Sequence, residues 1–210
     1  MIKAVIFDLD GVLVTTDECH YAAWKRMADE EEIYFDREIN KKLRGVSRAE
    51  SLEIVLKNAE KIYTAEQKAE LAERENGYYK VLIEKLTEKD VLGGVVENLT
   101  ALKENGYKIA VGSSSKNTPI ILNKTGLVNY FDAVADGNEI ARSKPDPEVF
   151  LKAAKKLGVP PCECLVVEDA DAGIEAGKRA GMKTLAVQGA NGADYHCENL
   201  FKESVLNYVK

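Results

Sequence analysis

The stretch Lys3-Ala4-Val5-Ile6-Phe7-Asp8-Leu9-Asp10-Gly11-Val12 decides the fold. Lys3 to Phe7 is β-branched and aromatic with no helical period, which predicts a buried strand. The run stops on two aspartates at i and i+2, and a glycine follows at once. Side chains alternate along an extended chain, so Asp8 and Asp10 face one way and can converge on one pocket. In open α/β sheets, ligands sit beyond the carboxyl ends of the strands. Two acids there serve a cation, a reaction, or simply the capping of the next turn.

Further along, strands and helices alternate. Lys108–Gly112, Phe131–Ala135, Leu165–Val167 and Lys183–Val187 read as short strands. Helices are expected over Val95–Asn105, with Val96, Leu99 and Leu102 on one face, over Asn117–Lys124, and over Ala172–Ala180. Asp146 is expected to cap a further helix with Pro147 at its first position and Gly158 at its end. Repeated βα units with short links predict an α/β fold, a doubly wound, Rossmann-like parallel sheet. Residues 17–86 differ, being highly charged and without a convincing strand. Ser47-Arg48-Ala49-Glu50 and Thr64-Ala65-Glu66-Gln67 are capping-box patterns. The expected organisation is a core of residues 1–15 and 88–210 with an inserted helical cap over 16–87. Thr15-Thr16 and Gly93-Gly94 mark the two crossings.

The chain has 210 residues, 45% hydrophobic and 30% charged, with a net charge of −6. That suits a soluble globular protein and argues against a nucleic-acid surface. No apolar stretch is long enough to span a bilayer, and the N-terminus lacks a signal-peptide pattern. A cytoplasmic monomer with no membrane partner is the expectation. Cys19, Cys162, Cys164 and Cys197 match no zinc spacing and read as reduced thiols.

Three more segments lie at predicted strand ends. Val111-Gly112-Ser113-Ser114-Ser115-Lys116-Asn117 leaves a strand and opens a helix, offering hydroxyls and backbone N–H groups that suit phosphate or serve as ordinary caps. Ser143-Lys144-Pro145-Asp146-Pro147 carries a lysine in a proline-held loop, a fixed charge for a phosphoryl group or a solvated side chain. Val166-Val167-Glu168-Asp169-Ala170-Asp171 ends a strand in acids, whose hard oxygens suit Mg²⁺; Asp171 is expected to cap the next helix. All four segments belong to one predicted sheet edge, so they can meet as a phosphoryl-transfer site with a metal.

Asp8-Leu9-Asp10-Gly11-Val12, Ser113, Lys144-Pro145 and Glu168-Asp169 resemble, in order, the four motifs of the haloacid dehalogenase superfamily of phosphotransferases. Within it, Leu43-Arg44-Gly45-Val46-Ser47-Arg48-Ala49-Glu50-Ser51, His20 with Ala23-Trp24-Lys25, and Ser113 to Asn117 resemble the β-phosphoglucomutase family. That resemblance implies Mg²⁺-dependent interconversion of β-glucose 1-phosphate and glucose 6-phosphate through a bisphosphate. The alternative is a sugar-phosphate phosphatase; a non-catalytic sugar-phosphate binder would have no use for a nucleophile.

The roles it implies are specific. Asp8 is the nucleophile and Asp10 the general acid and base, the latter also ligating Mg²⁺ through its backbone carbonyl. Asp8, Glu168 and Asp169 complete the metal site. Ser113 and Lys144 hold the moving phosphoryl group. Arg48, Ser51, Ser115, Lys116 and Asn117 bind the substrate, chiefly its second phosphate, and Gly45 and Val46 line the sugar. Thr16 and His20 position Asp10, and His20 also borders the substrate. Two positions depart from the pattern: Thr15, where the superfamily usually has aspartate, and Glu75, where the mutases carry a lysine facing the sugar phosphate. Glu75 either points outward or marks a different sugar preference.

Overall fold

The structure is a computed structural model and describes residues 1–209. Six parallel strands form one sheet in the order β3-β2-β1-β4-β5-β6: β1 Ala4–Phe7, β2 Lys108–Gly112, β3 Ala133–Ala135, β4 Cys164–Glu168, β5 Lys183–Ala186 and β6 Tyr195–His196. The opening strand is central, which explains its continuous apolar character. Val5 and Phe7 point into one hydrophobic cluster, Ala4 and Ile6 into the other. The cluster behind Ala4 and Ile6 is closed by α7 (Glu148–Leu157) and α8 (Asp171–Arg179), and the opposite one by α5 (Val95–Glu104) and α6 (Thr118–Lys124).

Between β1 and α5 the chain makes four α-helices: α1 Asp17–Glu30, α2 Arg37–Lys41, α3 Arg48–Leu56 and α4 Ala65–Ile83. Both capping boxes form, at Ser47/Glu50 and Thr64/Gln67, and they start α3 and α4 where the pattern places them. These helices bury a cluster of their own around Trp24, Met27, Leu52 and Leu71. The two chain crossings lie side by side, joined by the Val14–Val91 bridge and the Leu92 N–H to Leu13 carbonyl bond of 2.9 Å.

Several local expectations shift. Val96 is exposed, and Asn98 takes its place on the inner face of α5. The Asn98 amide donates to the Leu200 carbonyl at 2.9 Å and accepts from the Val205 N–H at 2.7 Å, so a polar side chain ties down the C-terminal segment. Helix α7 begins one residue later than expected, with Pro147 in the capping position; the Asp146 carboxylate still receives the Glu148 N–H at 3.0 Å. Asp171 lies in the first turn of α8, and its carboxylate takes the Asn191 N–H at 2.7 Å. Phe131 and Asp132 precede β3, because the Asp132 carboxylate and backbone N–H both bond to Ile109. All four cysteines are free. Among the described residues no helix is long and apolar enough to cross a membrane.

Candidate active site

Strand ends bring the acids together. Adjacent β1 and β4 run in register, with Phe7 beside Val167, so the residues that follow, Asp8 and Glu168-Asp169, emerge side by side. Oxygens of Asp8, Glu168 and Asp169 lie within 4.8 Å of one another. Lys144, 1% exposed, donates from Nζ to the Asp8 carboxylate and to Glu168 Oε1 at 2.6 Å. Glu168 Oε2 accepts the Asp169 and Ala170 N–H groups at 3.0 and 3.1 Å. Glu168 is thereby committed on both oxygens. Asp169 receives no hydrogen bond from the described residues, so its oxygens and one oxygen of Asp8 are open to a ligand.

The backbone makes room for these carboxylates. Gly11 has φ +78°, and a Cβ there would stand 2.1 Å from Asp169 Oδ2. At Gly173, in α8, a Cβ would stand 1.8 Å from Glu168 Oε1. Any side chain at either position would occupy the space the carboxylates use.

Electrostatics follow from crowding. Burial pushes the Asp8 carboxyl well above the usual range; Lys144 pulls it down, while Glu168 and Asp169 raise it further. Burial, then the charge of Glu168, lift Asp169 to about 7. Lys144 stays charged, because Asp8 and Glu168 more than offset its burial. Three hard carboxylates around one ammonium, with no histidine or cysteine in the set, fit a hard divalent cation. Proton and cation compete for Asp169, which sets a pH dependence. Affinity for a divalent cation is expected to fall by about tenfold or more per unit as pH drops below about 7, and to level off above it. Calorimetric titrations between pH 5 and 8 read this directly; a flat profile would contradict it.

Asp10 stands apart from the carboxylate cluster and has its own partners. Tyr79 Oη donates to Thr16 Oγ1 at 3.2 Å, and the Thr16 hydroxyl donates to Asp10 Oδ1. His20 Nε2 is 3.9 Å from Asp10 Oδ2, and its ring stacks on Tyr79 with centroids 4.1 Å apart. Burial opposes charge on His20, but Asp10 and Glu75 outweigh it and raise its pKa. A carboxylate held this way can take and return a proton.

The loop after β2 is held by its own serine hydroxyls. Ser113 Oγ accepts the Ser115 N–H and Ser115 Oγ accepts the Asn117 N–H, both at 3.2 Å. Lys116 is exposed. Asn117 is buried and donates from Nδ2 to Asn76 Oδ1 of α4 at 3.2 Å, so this loop touches the helical insert. A second contact lies at Gly45, where a Cβ would be 3.1 Å from the Ala170 methyl. Val46 is half-buried beside it, and Ser51 is buried within α3.

Glu75 does not point outward. It is 1% exposed, and its Oε2 accepts the Arg48 Nε–H at 3.0 Å. Sequence reasoning passed over Tyr79 and Asn76. Their signal was the spacing of Glu75, Asn76, Tyr79 and Ile83, the inner stripe of α4. Gln188, which donates to the Gly11 carbonyl at 2.5 Å, carried no motif at all.

The chain as a whole is similar to several known proteins. β-Phosphoglucomutase of Bacillus subtilis is 48% identical over 187 residues, covering 88% of this chain and 83% of that protein. A phosphorylated carbohydrates phosphatase of Thermotoga maritima is 31% identical, covering 87% and 83%. The crystal structure of β-phosphoglucomutase from Clostridium difficile superposes with a TM-score of 0.93 at 38% identity, covering 99% of this chain and 96% of that one. The family model for haloacid dehalogenase-like hydrolases matches residues 2–181. With a family model matched over most of its length and a relative 48% identical, the chain belongs to the haloacid dehalogenase-like hydrolase family.

Proposed function

We propose that this chain is a Mg²⁺-dependent β-phosphoglucomutase of the cytoplasm, with residues 16–87 acting as a cap over the core. The observation that carries this reading is the likeness to β-phosphoglucomutases along nearly the whole chain, helical insert included. Asp8 attacks the phosphorus atom and becomes an aspartyl phosphate. Lys144 and Ser113 hold the equatorial oxygens, where the charge of the transition state spreads. Asp8 and Asp169, backed by Glu168 and joined by the Asp10 carbonyl, would hold Mg²⁺, which when bound supplies charge neutralisation between nucleophile and phosphoryl group.

The cycle balances without water. The 6-hydroxyl of β-glucose 1-phosphate loses its proton to Asp10 and takes the phosphoryl group from Asp8. The bisphosphate then turns over. Its 1-phosphoryl group returns to Asp8, and Asp10 gives the proton to the departing 1-oxygen, leaving glucose 6-phosphate. Through both halves the non-reacting phosphate needs a site away from the chemistry. Arg48, Lys116, Ser115 and Asn117 supply it, with arginine suited to bidentate contact. Gly45, Val46 and Ser51 border the sugar. A closed cap keeps water from the phosphoenzyme.

Incubation with β-glucose 1-phosphate, a trace of glucose 1,6-bisphosphate and Mg²⁺ is expected to yield glucose 6-phosphate. Release of free phosphate without the isomer would move the assignment to a sugar-phosphate phosphatase, the activity named for the Thermotoga relative.

A further inference from the structure

Glu75 is a buried carboxylate with an unfinished set of partners. Its Oε2 accepts the Arg48 Nε–H at 3.0 Å; its Oε1 receives no hydrogen bond from the described residues. Burial raises its pKa, and Arg48 and His20 oppose that rise. It sits on α4 beside Asn76, which reaches the anion-binding loop through Asn117, and one turn before Tyr79, which stacks on His20. Glu75 therefore lies between the anion-binding residues and the groups that hold Asp10.

A buried ion pair is costly to build, and what little of the Glu75 side chain stays open to solvent includes Oε1, the oxygen that Arg48 leaves unpaired. A ligand that covers Oε1 has to bring a donor, or that oxygen loses its water without replacement. That ligand group cannot be a phosphate, because the carboxylate would repel it. A sugar hydroxyl fits: it donates, it is neutral, and it comes attached to the phosphate that Arg48 can hold with the nitrogens Glu75 leaves free.

We propose that Glu75 is a specificity-determining residue that reads the sugar, its Oε2 aiming Arg48 at the non-reacting phosphate and its Oε1 accepting one ring hydroxyl. This rests on the sugar-phosphate reading of the site. Sites built to hydrogen-bond a hydroxyl reject analogues that lack it, because a buried group is left unpaired.

The test measures binding by calorimetry in the full chain carrying Asp8→Asn to block turnover. The ligands are β-glucose 1-phosphate and its 2-, 3- and 4-deoxy analogues. One analogue is expected to bind at least tenfold more weakly than the parent. In the added presence of Glu75→Ala the two should bind within about twofold of each other. Glu75→Gln, which keeps an acceptor oxygen, should retain part of the preference. Equal binding of all four ligands, or a preference that survives Glu75→Ala and Glu75→Gln undiminished, overturns the role of Glu75 alone. Failure to bind any hexose phosphate removes both this role and the reading beneath it.

Discussion

Asp8→Asn is expected to abolish turnover, with a loss on the order of 10⁴-fold or more, the scale seen when a covalent nucleophile is removed. No phosphoenzyme should form on addition of the bisphosphate. The same substitution should leave the metal-free protein at least as stable as the parent. Asp8 shares its pocket with Glu168 and Asp169, and burial already pushes its carboxyl well above the usual range. Ionising it in the folded protein therefore costs free energy that a neutral amide does not. Lys144 keeps Glu168 as its partner in the variant. A thermal melt in chelator and a single-turnover labelling assay check both halves. Residual turnover at a tenth of the parent rate would remove Asp8 from the reaction.

Lys144→Ala is expected to combine a structural loss with a chemical one. The ammonium is buried between Asp8 and Glu168, with Phe150 at 4.8 Å from Nζ. Deleting it leaves those buried carboxylates without their cation, which costs about 3–5 kcal/mol. The penalty should shrink as pH falls, because the abandoned carboxyls then take protons and their charge disappears. It should also shrink on adding Mg²⁺, which replaces part of the missing charge. Turnover should fall by about 10²–10³-fold even where the variant is folded, the scale of a lost donor at a developing negative charge. Denaturant titrations at pH 5 and 7.5, with and without Mg²⁺, measure the first effect. Equal destabilisation under all four conditions would mean that Lys144 stabilises by packing alone.

The parts of the fold that were legible in the sequence are those governed by local rules. The central strand shows as a continuous apolar run because both its faces are covered. The starts of α3 and α4 show because a capping box is a four-residue device. The strand-end acids show because parallel strands deliver their carboxyl ends to one edge. What stayed hidden depends on distance along the chain. Val96 looked like a core residue, but Asn98 displaces it by bonding to Leu200 and Val205, more than 100 residues away. The two-residue β6 has no period to read. Glu75 looked out of place among phosphate-binding residues, since nothing local announces that Arg48, 27 positions earlier, turns its Nε toward it. The Tyr79–Thr16–Asp10 chain likewise joins segments 63 residues apart.

Phosphorus accounting tests the central claim most directly. Native protein with Mg²⁺, unlabelled β-glucose 1-phosphate and a trace of ³²P-labelled glucose 1,6-bisphosphate should pass the label into glucose 6-phosphate while total bisphosphate holds steady. Label collecting in free phosphate, with the bisphosphate consumed and no isomer formed, would contradict a mutase working through Asp8.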